Sequence, residues 1–134
     1  MENPKLETLN SKQTQIIKAQ NSKRYDLGER TLSFSRRVFS YVKELPKITT
    51  NDVIGRQLIR AGGSVGANYL EAEESLSRKD FLMRIKISRK EAKESRYWLI
   101  LIEPQDCRIK DKDGLVDEAT QLMKIFGSII EKSK

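Results

Sequence analysis

The chain has 134 residues, with 26 Lys and Arg against 19 Asp and Glu, for a formal net charge of +7. That length suits one domain around one core, and the charge excess favours a polyanionic partner such as nucleic acid without defining a site. Histidine is absent and Cys107 is the single cysteine. This excludes Ser-His and Cys-His nucleophiles, an imidazole base, an intrachain disulfide and a thiolate or imidazole zinc centre. The start MENPKLETLNSKQ has no apolar leader, and no run approaches the 18 or so apolar residues of a spanning helix. The expectation is a cytoplasmic protein in a reducing compartment, with no membrane segment, cofactor or metal.

Residues 1–24 are polar, with five Lys or Arg against two Glu, and account for +3 of the charge. They cannot bury enough apolar surface to offset their ordering entropy and read as a flexible polar arm; a frayed helix over roughly 10–22 is the alternative. Residues 25–134 form the bundle domain.

Four helices are predicted there. The first runs from about Asp26 to Leu45, stopped by Pro46, with Leu27, Thr31, Phe34, Val38, Val42 and Leu45 inward. The second spans about Asp52 to Ser75, capped by Thr50 or Asn51, with the stripe Ile54, Leu58, Ala61, Val65, Asn68 and Ala72. In the third, Ser77 and Asp80 stand at capping-box spacing. An unbroken seam of Phe81, Ile85, Ser88, Ala92, Ser95, Leu99 and Ile102 follows, ending at Pro104. A loop with Cys107 and an Asp113-Gly114 turn leads to the fourth, about Leu115 to Lys132, whose seam is Leu115, Ala119, Leu122, Phe126 and Ile129. No segment alternates with a period of two, so the fold class is all-α, an antiparallel up-and-down four-helix bundle. Second stripes (Leu32 and Phe39; Ile87, Trp98 and Leu101; Val116, Met123 and Ile130) leave either a wide core or surface for another subunit.

Each glycine inside the second helix costs about 1 kcal/mol relative to Ala, so Gly62, Gly63 and Gly66 need compensation. Gly62 and Gly66 share a face that admits a close neighbour; a kink is the alternative. Arg60 falls opposite residue 92 in a hairpin and is expected to pair with Glu91 or Glu94. An acidic metal site of Glu71, Glu91 and Glu94 is the competing reading, and bundle metal sites of this kind normally include histidine. Asp111-Lys112-Asp113-Gly114 fails as a calcium loop, because 109 is Ile and 120 is Thr. The third helix holds eight basic residues, with Lys79, Lys86 and Lys93 seven apart. Arg84, Lys86, Arg89, Lys90, Lys93 and Arg96 are the expected nucleic-acid contacts; the alternative is an ordinary solvated face laced with Glu91 and Glu94.

The runs YDLGERTLSFSRRV, QLIRAGGSVGANYLEAEES and SRKDFLMRIKISRKEAKESRYWL resemble the four helix bundle protein family first noted in intervening sequences of large-subunit ribosomal RNA genes. The similarity spans about residues 25–103. Its most specific parts are Ser64-x-x-Ala67-Asn68-x-x-Glu71 and Glu91-x-x-Glu94-x-x-x-Trp98-Leu99. The resemblance implies a left-handed up-and-down four-helix bundle assembled into a homo-oligomeric ring, a homopentamer. It extends to the accessory protein of diversity-generating retroelements, a basic pentamer that binds nucleic acid and a reverse transcriptase. It supplies no catalytic residues. Arg60, Ser64, Asn68, Glu71, Glu91, Glu94 and Trp98 become a structural signature, while Gly62 and Gly63 depart from the commoner alanine-rich stretch. The resulting expectation is a non-enzymatic protein binding RNA or DNA; the alternative is a scaffold that docks a partner enzyme.

Overall fold

The computed structural model describes the backbone of residues 11–134 and the side chains of residues 27–134. Four helices make up the fold: α1 (Ser11–Lys43), α2 (Thr49–Glu73), α3 (Arg78–Leu101) and α4 (Ile109–Lys132), the last preceded by a 3-10 turn, Asp106–Arg108. The described residues contain no strand. α3 packs against α2 and α4, and α1 closes the bundle against the same two helices.

Several helix ends differ from their sequence signals. α1 is already helical at Ser11, well before Asp26; residues 1–10 of the expected arm lie outside the described residues. α2 starts at Thr49 with Ile48 as a cap that makes no side-chain bond. Asn51, expected to cap it, is instead buried, and its amide donates to Pro46 O at 3.2 Å and to Glu103 O at 3.5 Å. That side chain ties the α1–α2 connection to the end of α3, and the tertiary contact wins over the local cap. α3 follows its signals: the Asp80 N–H donates to Ser77 Oγ at 3.1 Å, satisfying one of the open donors of the first turn. At its far end Lys112 Nζ donates to Ile100 O and Ile102 O, at 3.1 and 3.0 Å, placing positive charge where the helix dipole is negative. α4 starts at Ile109 and takes Asp113-Gly114 into its interior, so no turn forms there.

The core follows the predicted seams with a few exchanges. Phe34, Val38, Leu58, Val65, Ile85, Ala92, Leu99, Leu122 and Phe126 are fully enclosed, each large apolar side chain contributing about 1.5–3 kcal/mol of transfer free energy. On α2, Tyr69 is buried and Asn68 only half-buried, because the face turned inward is centred on Val65 and Tyr69. Tyr41 joins the core on α1, and Ile130 is more enclosed than Ile129 on α4.

α2 is uninterrupted through its glycines, and close approach rather than a kink explains them. A Cβ on Gly55 would stand 3.1 Å from Val42, one on Gly62 3.3 Å from Val38, and one on Gly66 3.1 Å from Thr31. These positions form a shallow groove that receives α1, and Ser35 Oγ donates across it to Gly62 O at 2.8 Å. Gly63 points away, with nothing within 4 Å.

Candidate nucleic-acid interface

The α2–α3 contact holds the expected ion-pair network. Arg60 Nη1 lies 3.3 Å from Glu91 Oε2, and Nη2 donates to Glu94 Oε1. Trp98 Nε1 donates to that same Glu94 oxygen at 3.2 Å. Glu91 is 7% exposed, so a charge that would be costly alone is enclosed with a half-exposed guanidinium as counter-ion. The hydrogen bond from Arg60 holds the Glu94 carboxyl below its ordinary range; partial burial opposes this, and the Trp98 bond adds to it. Trp98 is half-buried against the core and meets the Tyr97 ring edge-on at 5.2 Å. Glu71 is exposed and belongs to no such cluster. Among the described residues no group of three or more His, Cys, Asp or Glu could hold a metal ion.

Asn68, another signature position, acts between helices as well. Asn68 Nδ2 donates to Ser64 O at 2.9 Å, and its Oδ1 accepts from Arg84 Nη1 at 3.0 Å. Below them the buried Ser88 hydroxyl donates to Val65 O at 2.9 Å. The α2–α3 seam therefore carries a column of polar bonds that permits few alternative registers.

The six basic residues expected to contact nucleic acid separate into two groups. Arg84 is taken by Asn68, Arg96 Nε donates to Thr120 Oγ1 at 2.9 Å, and the Arg89 guanidinium lies across Gly127, 3.6 Å from where a Cβ would stand. Arg84 and Arg96 join α3 to α2 and α4, whereas Arg89 is exposed. Lys86, Lys90 and Lys93 are exposed, as is Lys79, and none closes a salt bridge among the described residues. The structure thus brings together an outward lysine row, with Arg84 and Arg96 beside it bonded to neighbouring helices and Arg89 exposed.

Two structural elements escaped the sequence patterns. Arg30 makes a two-pronged contact with Glu118, at 2.9 and 2.8 Å, and reaches Gln121 at 2.8 Å; these residues are far apart in sequence and carry no local signal. Tyr41 and Tyr69 carry one, since each lies three or four residues from neighbouring seam positions, and both are buried.

The fold defines the class: an all-helical, four-helix bundle protein, with no helix among its described residues long and apolar enough to cross a membrane. Residues 23–128 match the model of the 23S rRNA-intervening sequence protein, and the chain belongs to that family. It is similar to a protein of unknown function from the S23 ribosomal protein family of Bacteroides thetaiotaomicron, known from its crystal structure. The two share 32% identity at a TM-score of 0.68, over 78% of this chain and 97% of that one. None of the curated proteins matches it.

Proposed function

We propose that the chain is a non-enzymatic, cytoplasmic protein that binds RNA or DNA through α3, as an antiparallel up-and-down bundle assembled into a homo-oligomeric ring. The observation that carries this reading is the exposed row of Lys86, Lys90 and Lys93, free of salt bridges among the described residues. Lysines at that spacing can follow phosphates along a strand, and the family's connection with ribosomal RNA genes agrees with such a partner. Arg84 and Arg96 border the row and hold α3 in place, while exposed Arg89 can add to the contact.

The antiparallel arrangement is supported by the contacts, in which rising positions on one helix meet falling positions on the next. Arg60 meets Glu91 and Glu94, Val65 meets Ser88, and Asn68 meets Arg84. The ring, a homopentamer by the family resemblance, is supported by large apolar side chains left exposed: Leu32 and Phe39 on α1, and Tyr97, Ile100 and Leu101 on α3. These also favour a second reading, a scaffold docking a partner enzyme.

Binding to single-stranded RNA should weaken steeply with salt. Changing Lys86, Lys90 and Lys93 to Glu should lower the slope of log K against log salt by about 2 or more, at about 0.7 per phosphate contact. Salt-insensitive binding, or none to any RNA or DNA, overturns the reading. Capture of a protein partner from nuclease-treated extract by the triple variant supports the scaffold instead. Light scattering that gives a monomer mass removes the ring.

A further inference from the structure

Tyr41 is 1% exposed, yet its hydroxyl is buried without a hydrogen-bond partner. An unmade hydrogen bond at a buried hydroxyl is costly, and phenylalanine would fill the same space without it. The residue lines a half-open cavity of about 170 Å³ together with Arg37, Ser40, Arg108, Asp111 and Leu115, with room for more than a single water.

Its charge is lopsided. Arg108 Nε faces Asp111 Oδ2 at 2.8 Å, while Arg37 closes no salt bridge among the described residues. The cavity lies at the first turn of α4, where Arg108 occupies the cap position without a side-chain cap bond. The partly positive helix end therefore adds to the guanidinium charge. Gly114, one turn on, lets Arg37 lie against α4: a Cβ there would stand 3.2 Å from Arg37 Nη2.

We propose that this cavity is a binding site for a phosphate-type oxyanion, held by the Tyr41 hydroxyl and the Arg37 guanidinium, with Arg108 at the wall and the α4 N-terminus behind it. The hydroxyl serves as a neutral donor, since burial pushes its pKa up to about 12. The same chemistry could come from free phosphate, a terminal phosphate or a nucleic-acid backbone. None of these residues belongs to the lysine row, so the site stands or falls apart from the proposed function.

The test follows the NMR signals of the Tyr41 ring and the Arg37 guanidinium in the full chain during titration with inorganic phosphate, with chloride at equal ionic strength as control. A saturable shift confined to phosphate is expected. Arg37→Gln should weaken it about tenfold, and Tyr41→Phe, which removes only the hydroxyl, about threefold or more. Unmoved signals, as for a cavity holding only water, or wild-type affinity in either variant, overturn the proposal. Parallel titrations with 5′-phosphorylated and 5′-hydroxyl oligonucleotides identify the source. A shift with the first alone supports a terminal phosphate, an equal shift with both supports a backbone phosphate, and a shift with inorganic phosphate alone supports the free anion.

Discussion

Gly66 on α2 lies so close beneath Thr31 on α1 that a Cβ on the glycine would stand 3.1 Å from the threonine Oγ1 and 3.2 Å from its Cβ. Thr31 is 1% exposed and branched at Cβ, and its hydroxyl donates to Gly28 O at 3.0 Å, so it cannot turn aside. Gly66→Ala should therefore destabilise the protein by about 1–2 kcal/mol, overpacking exceeding the gain in helix propensity. Gly63→Ala meets nothing within 4 Å and should stabilise by up to about 1 kcal/mol. Urea midpoints moving in opposite directions confirm the groove; a shared direction removes it.

Arg60 is the only cation bonded to Glu91 and Glu94 among the described residues. Arg60→Ala leaves Glu91 enclosed and unpaired, at a cost of about 1–2 kcal/mol once the exposure of the guanidinium is allowed for. In a double-mutant cycle, Glu94→Gln should cost less in the Arg60→Ala background than in the wild type. Simple additivity would show that the pair contributes nothing.

Trp98 is half-buried with a bonded indole N–H. Trp98→Ala should cost about 1–3 kcal/mol, short of the 3–5 expected for a fully buried indole. Trp98→Phe should recover the packing but not the bond to Glu94. Chemical denaturation of both variants separates the two contributions.

Acid and alkali act on different groups. The folded Glu94 carboxyl titrates below its ordinary value of 4.5. Its contribution is therefore full above that value and disappears as pH falls through the lower folded pKa; Glu94→Gln should flatten this part of the acid unfolding curve. Tyr41 runs the other way. Its phenol is pushed up from 10.0 to about 12, so the unfolded chain loses that proton first. Stability should decline from about pH 10 toward 12, by up to about 1.4 kcal/mol per pH unit. A phenolate absorbance step near pH 12 that disappears in Tyr41→Phe is the check.

Helix number, the α3 seam with its Ser77 cap, and the Arg60 pairing were legible in the sequence. Each rests on local periodicity or on a hairpin register that counting residues approximates. Local chemistry also said where a helix could begin or stop, though not where it does: Asn51 gave up its cap for carbonyls at Pro46 and Glu103, and Gly114 gave up a turn for a place inside α4 under Arg37. In both cases contacts made outside the helix itself, to loop carbonyls for Asn51 and to α1 for Gly114, outweigh a preference of about 1 kcal/mol. The row of basic residues on α3 was visible from spacing alone. Its division into arginines bonded to Asn68 and Thr120, and lysines and Arg89 left exposed, depends on which helices lie on either side. The unpartnered Tyr41 hydroxyl was likewise invisible in the chain, because a buried polar atom is defined by what encloses it, and only the packing of α1 on α4 does so.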